Sequence, residues 1–276
     1  MVGRLRPALM GIVNATPDSF SDGGRFLDPE RAVLHALSLL EQGATWVDVG
    51  GESTRPGATP VSKAEELRRV VPVIEGVLRE RPDAWVSVDT TKPAVAAAAI
   101  RAGAKMVNDV SALAAPGMAS LCAEAGVDVV LMHMRGAPRT MQADTRYTDL
   151  VGEIIRFLRQ RAEVAVAAGV LRDRITVDPG LGFGKAWEDN PRLIAEVPRL
   201  KELGYPVLIG ASRKRFVGAL TGVDRPEDRV AGSIGAALAA ARAGADLIRV
   251  HDVGPTREAL VVFMAVEAEW TGLSTP

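Results

Sequence analysis

Pro93-Ala94-Val95-Ala96-Ala97-Ala98-Ala99-Ile100-Arg101-Ala102-Gly103-Ala104-Lys105-Met106-Val107-Asn108-Asp109 carries the unit from which the whole chain is built. A proline opens it, in the first helical position where its missing N–H costs nothing. A glycine closes the helical stretch, since glycine takes the left-handed conformation that caps a helix. A short apolar run follows, and it ends on two polar residues, Asn108 and Asp109. Runs this short and this continuously apolar suit strands buried on both faces, as in a parallel sheet.

The same unit recurs outward in both directions. Apolar runs lie at residues 8–13, 45–49, 84–88, 105–107, 128–132, 174–177, 206–209 and 246–250. Helical stretches lie between them. The first opens at Asp28-Pro29 with an apolar pattern through Leu34, Leu37 and Leu40; the others cover residues 62–81, 93–102, 116–125, 149–168, 191–203, 226–243 and 255–270. Ser62 and Glu65 have the spacing of a capping box. Gly43, Gly103, Gly126, Gly169, Gly204 and Gly244 each follow a helix and precede a strand. Eight such units predict an α/β fold, a (β/α)8 TIM barrel, with residues 1–276 as a single domain. A doubly wound open sheet is the alternative, but it usually has fewer strands.

Composition excludes several classes of function. Among 276 residues there are 33 basic and 34 acidic side chains, a net charge of -1 and no basic stripe, which argues against nucleic-acid binding. Cys122 is the single cysteine, so neither a disulfide framework nor a Cys-x-x-Cys zinc site is available. Residues 1–20 show no long apolar stretch of a secretory leader, and no segment approaches the ~20 apolar residues of a membrane span. The expected location is the cytoplasm.

In a barrel of this kind the active site forms where the strands end. Strand one ends at Asn14, before a loop holding Asp18 and Phe20; strand two carries Asp48 and leads into Thr54, Arg55 and Pro56. Strand three ends at Asp89, strand four at Asn108 and Asp109, strand five at Met132 and His133 with Arg135 beyond, and strand six at Asp178. Strand seven leads to Ser212, Arg213, Lys214 and Arg215, and strand eight ends at Arg249, His251 and Asp252. Carboxylate and amide edges at Asp89, Asn108 and Asp178 suit a planar ligand with N–H donors. Positive charge at Arg55, Arg213, Lys214, Arg249 and His251 suits phosphate or diphosphate. One pocket that uses both takes a heterocycle with a phosphate tail.

At these residues the chain resembles the dihydropteroate synthase family over nearly its whole length. The resemblance is carried by Gly11-Ile12-Val13-Asn14 with Asp18-Ser19-Phe20-Ser21-Asp22-Gly23-Gly24, Gly50-Gly51-Glu52-Ser53-Thr54-Arg55-Pro56-Gly57 and Ser87-Val88-Asp89-Thr90. It continues through Val107-Asn108-Asp109-Val110, Leu131-Met132-His133-Met134, Asp178-Pro179-Gly180, Gly182-Phe183-Gly184-Lys185, Ser212-Arg213-Lys214 and Arg249-Val250-His251-Asp252. Ala15 stands where the family usually carries valine.

The resemblance implies condensation of 6-hydroxymethyl-7,8-dihydropterin diphosphate with p-aminobenzoate, assisted by Mg²⁺, through an SN1-like loss of diphosphate. It implies catalytic roles for Lys214, Arg249, His251, Asp89 and Asp178. Asp89, Asn108 and Asp178 hold the pterin donor edge, Lys214 meets its carbonyl side, and Met132 and Phe183 form walls. Arg249 packs on the pterin face and, with His251, faces the diphosphate. Asn14 reaches the magnesium or the phosphates, Phe20 belongs to a closing loop, and Thr54, Arg55, Pro56 and Arg215 surround the aminobenzoate. A homodimer and inhibition by sulfonamides, which mimic aminobenzoate, also follow from it. The apolar circumference of residues 259–266 agrees with a covered face.

Two rival functions share these features. One is a methyltransferase that uses a methylated folate and a corrinoid protein; the long first loops and Ser212-Arg213-Lys214 favour the synthase. The other is a non-catalytic pterin-binding paralogue, against which Asn14, Lys214, Arg249 and His251 speak. Other residues read more simply. Gly180 to Lys185 lacks phosphate-loop spacing, because Ala186 follows the lysine. His35 reads as surface or packing, Cys122 as a small buried hydrophobe, and His133 equally well as a functional group or as a wall or core residue.

Overall fold

The computed structural model describes residues 7–16, 29–54, 57–137 and 139–271. Eight strands form in chain order: β1 (Ala8–Asn14), β2 (Trp46–Gly50), β3 (Trp85–Asp89), β4 (Met106–Asp109), β5 (Asp128–Met132), β6 (Ile175–Asp178), β7 (Leu208–Ile209) and β8 (Leu247–Val250). Each pairs in parallel with its neighbours in the continuous order β6-β5-β4-β3-β2-β1-β8-β7. A parallel bridge between Val177 and Val207 joins the two ends, with Val177 N–H donating to Pro206 O at 2.9 Å. The sheet therefore closes as the (β/α)8 barrel expected. Strand β7 is short because Pro206 has no N–H to give the ladder.

The helices are α1 (Pro29–Glu41), α2 (Lys63–Glu80), α3 (Pro93–Arg101), α4 (Met118–Ala125), α5 (Leu150–Ala167), α6 (Asp189–Ala195), α7 (Val197–Lys201), α8 (Arg215–Thr221), α9 (Val230–Arg242) and α10 (Val253–Thr271). The six capping glycines all take positive φ, from 62° at Gly126 to 106° at Gly103. Ser62 accepts the N–H of Glu65 at 3.2 Å, but the Glu65 carboxylate turns to Arg68 and Arg69, so only half of the capping box forms. The stretch expected as one helix over 191–203 breaks between α6 and α7, where Pro198 cannot continue the hydrogen-bond ladder. The stretch expected from 226 begins as a single 3-10 turn, Pro226–Asp228, before α9. In α1 the buried face is Ala32, Ala36 and Leu39, and Leu34 points outward at 66% exposure.

Because side chains alternate across each strand, the barrel has an outer and an inner surface. Val47, Val49, Val86, Val88, Val107, Val129 and Ile248 face outward into the core shared with the helices. Met10, Trp46, Met106, Val130, Leu208 and Leu247 face inward and plug the lower half of the barrel. Two residues further along the same strands stand Asp48, Asn108 and Arg249.

Candidate active site

The polar groups at the C-terminal rim are wired to one another. Arg249 on β8 donates through Nε to Asp48 Oδ2 on β2 at 2.7 Å and through a terminal nitrogen to Asp89 Oδ2 on β3 at 2.9 Å. Asn108 on β4 donates its amide to the same Asp48 oxygen at 2.9 Å. An amide that donates downward presents its oxygen to the other side. Asp89, Asn108 and Asp178 are all buried. Burial raises Asp89 to about 7, against the attraction of Arg249 and with repulsion from Asp48, Glu66 and Asp109. Burial also raises Asp178, against Lys214.

Asp178 is held by its own loop. Its carboxylate accepts Gly180 N–H at 2.7 Å, and its carbonyl accepts His133 N–H at 2.9 Å. Gly180 has φ 68°, and a Cβ there would stand 2.0 Å from the His133 carbonyl oxygen, so the turn requires glycine. The turn brings Phe183 under Lys214, whose Nζ lies 4.7 Å from the ring centroid and donates to Leu181 O at 2.5 Å. Burial lowers Lys214 to about 8, with Asp178 opposing and Arg249 reinforcing the shift. Met132 is the register partner of Asp178 and completes the floor between β5 and β6.

His251 and Ser212 form a second pair. Ser212 Oγ accepts the backbone N–H of His251 at 3.2 Å and lies 3.0 Å from its Nδ1. This pair anchors the imidazole at the rim beside Arg249. Arg213, expected as a positive charge, is paired within the rim. It forms a two-pronged pair with Asp252 at 3.0 and 2.5 Å, from a left-handed backbone with φ 58°. Asn14 ends β1, half-buried; Thr54 lies half-buried in the loop after β2; Arg215 opens α8, exposed. Arg55, Pro56, Phe20 and Asp18 lie outside the described residues.

Three features escaped the sequence reading. Asp109 does not face the barrel interior. It accepts from Ser111 and from Leu113 N–H and builds a loop in which Ala112 and Leu113 take φ 55° and 57°. Lys185 is fully enclosed and donates to His133 Nδ1 at 2.9 Å, His133 O at 3.3 Å and Phe183 O at 2.9 Å. Burial pulls Lys185 down to about 7 and His133 to about 3, so His133 is a neutral acceptor behind the pocket. Lys92 donates to Glu52 at 2.5 Å and to the buried Glu66, which also accepts from Thr90 at 2.6 Å. That network fixes the root of the loop holding Thr54. Partners separated by 26 residues for Lys92 and Glu66, and by 52 for Lys185 and His133, leave no local pattern. The remaining expectations for Cys122 and His35 concern packing: Cys122 is buried, its thiol pushed up to about 12, and His35 is half-buried against the backbone of Ile12.

A site with buried oxygen acceptors on one side and cations on the other can hold a donor-edged heterocycle and stabilise an anionic leaving group. Residues 10–251 match the profile of the family described as pterin binding enzyme. The dihydropteroate synthase of Haemophilus influenzae is 44% identical over 260 residues, 94% of each chain. The chain belongs to the dihydropteroate synthase family. A Xanthomonas albilineans dihydropteroate synthase with 4-aminobenzoic acid superposes with a TM-score of 0.90 at 54% identity, covering 95% of this chain and 94% of the other. The same organism's enzyme in complex with 7,8-dihydropteroate gives 0.87 at 51% identity, with coverage of 95% and 94%.

Proposed function

We propose that this protein condenses 6-hydroxymethyl-7,8-dihydropterin diphosphate with p-aminobenzoate to give 7,8-dihydropteroate and diphosphate. The observation that carries the reading is the wired rim, with Asp89, Asn108 and Asp178 buried as acceptors beside Lys214 and Arg249. Two ionised carboxylates and an upward amide oxygen accept the N–H groups of a pterin. Lys214 donates to its carbonyl side, while Met132 and Phe183 flank the ring. As the methylene–oxygen bond stretches, positive charge grows on the pterin and negative charge on the diphosphate. Asp89 and Asp178 favour the first; Arg249 and His251 favour the second, more in the transition state than before it. The aminobenzoate nitrogen then attacks the methylene and loses a proton. No nucleophile from the chain is required.

Magnesium fits as a substrate-borne ion. Among the described residues no three His, Cys, Asp or Glu side chains gather as a metal site. Asn14 offers one hard amide oxygen at the rim, and Mg²⁺ commonly takes few protein ligands together with phosphates and water. When bound it neutralises the leaving diphosphate. Thr54, Arg55, Pro56, Phe20 and Arg215 are assigned to the aminobenzoate, Arg215 as a partner for its carboxylate. A homodimer in the cytoplasm completes the reading. It is supported by the outward-facing Val262 and Trp270 of α10, 65% and 70% exposed, and by the absence, among the described residues, of any helix long and apolar enough to cross a membrane.

The test mixes purified protein, Mg²⁺, pterin diphosphate and p-aminobenzoate, and follows diphosphate and dihydropteroate. Equal amounts of both products are expected, suppressed by a sulfonamide. Pterin binding without diphosphate release would instead identify a non-catalytic paralogue, and methyl transfer from a methylated folate to a corrinoid protein would identify the methyltransferase.

A further inference from the structure

The inward face of β2 carries Asp48 in the charged layer with Asn108 and Arg249, where it is fully buried. Its Oδ2 is the shared acceptor of Asn108 Nδ2 and Arg249 Nε. Asn108 stands two strands away on β4, and the intervening strand places the small Ser87 beside Asp48 in register, which leaves room for the reach. Arg249 comes from the other side, across β1. Asp48 is therefore the point at which the acceptor half and the cationic half of the rim are joined. Its other oxygen, Oδ1, has no hydrogen-bond partner among the described residues, and neither does Ser87 Oγ. A buried carboxylate left half-satisfied is a poor device for stability. Such a group is retained where function uses it.

We infer that Asp48 is a positioning residue: it turns the Asn108 amide so that its oxygen faces the substrate, and it holds Arg249 beside Asp89. The inference rests on the pterin reading of the rim. An amide has two orientations of similar shape, and only one shows the substrate an acceptor. With Oδ2 of Asp48 occupying the donor side, the wrong orientation would set two oxygens against each other. Asp48 touches neither substrate nor the reacting bond; it acts through Asn108 and Arg249.

The charge of Asp48 also bears on Asp89. Arg249 from β8, Asp48 from β2, Glu66 from α2 and Asp109 from β4 all act on that carboxyl. Pterin donors need Asp89 ionised, so binding is gained as pH rises through its titration. Removing the negative charge of Asp48 moves that gain to lower pH.

The experiment measures binding of 6-hydroxymethylpterin by calorimetry between pH 5.5 and 8.5, with thermal unfolding alongside, on full-length wild type, Asp48→Asn, Asn108→Asp and the double exchange. A hydrogen bond to a charged group predicts about a 10- to 100-fold loss for Asp48→Asn, with an unfolding midpoint close to wild type and an acid limb at lower pH. The double exchange restores one carboxylate and one amide to the pair, so it binds better than the sum of the single losses. Wild-type affinity and an unmoved limb in a folded Asp48→Asn protein would overturn the inference; should that variant not fold, a double exchange that binds the pterin no better than Asn108→Asp would overturn it. Failure of the wild type to bind the pterin would strike the pterin reading itself.

Discussion

The two layers inside the barrel are built by the same strands and differ in almost everything else. In the lower layer Met10, Trp46, Met106, Val130, Leu208 and Leu247 fill the interior with hydrocarbon. Two residues on, Trp46 gives way to Asp48, Met106 to Asn108 and Leu247 to Arg249. The lower layer stabilises the fold by removing apolar surface from water. The upper layer buries ionised groups, which costs free energy unless each is paired. Its carboxyls answer with raised pKa values at Asp89 and Asp178, and its lysines with lowered ones at Lys185 and Lys214. The barrel thus closes with its apolar floor and spends part of that stability on the rim.

The sharpest break of the comparison sets two substitutions in the upper layer against one in the lower. Lys214→Ala and Asp178→Asn each remove a group set to respond to developing charge, and each is expected to lower turnover by about 10²-fold or more while unfolding close to wild type. Leu208→Ala, in the lower layer, is expected to cost about 2–5 kcal/mol of stability and to leave the KM values nearly unchanged. Steady-state kinetics beside thermal or urea unfolding separates the two. If Leu208→Ala altered KM as strongly as Lys214→Ala alters turnover, the layers would not be separate in function.

A smaller effect is expected where the layers meet the loops. Lys185→Met removes three hydrogen bonds at once and leaves the Phe183 carbonyl and two acceptors of His133 without a donor. It also removes a buried charge, which offsets part of the loss. The net expectation is about 1–3 kcal/mol of stability, together with weaker pterin binding as Phe183 loses its anchor. Retained stability and retained binding in this variant would show that the turn from Gly180 to Phe183 holds itself.

These effects differ in how visibly they were written in the chain. The capping glycines and the eight apolar runs were legible because each is a local rule: one φ value, one strand, one face. The break at Pro198 is a local signal too, since a proline ends the hydrogen-bond ladder of the turn before it. The rim residues were legible as a set because each strand ends on one. Their orientation was not. Asn108 and Asp109 are adjacent and both polar, yet alternation sends the first into the barrel and the second into a loop. Arg213 and Arg249 are both rim arginines, but Asp252 neutralises one and Asp48 and Asp89 tether the other. Those pairings span 39, 201 and 160 residues, and only closure of the barrel creates them.

The finest probe of the upper layer is pH. In the proposed reading Asp89, raised by burial to about 7, must lose its proton to accept from the pterin, so kcat/KM is expected to rise as pH increases toward that value. In the same reading Lys214, lowered by burial to about 8, must keep its proton to donate, so kcat/KM is expected to fall as pH passes it. A free-enzyme profile with limbs near these values is a narrow bell, losing about tenfold per unit outside them. Since Asp89 and its neighbours interact, the limbs belong to the cluster rather than to single residues. The assignments can still be separated. Lys214→Arg keeps its charge at all working pH values and removes the alkaline limb, while Asp89→Asn removes the acid limb at the cost of overall rate. A Leu208→Ala profile superimposable on wild type places both limbs in the charged layer. A limb that moved with Leu208 would instead mean that the apolar floor sets the titration from below.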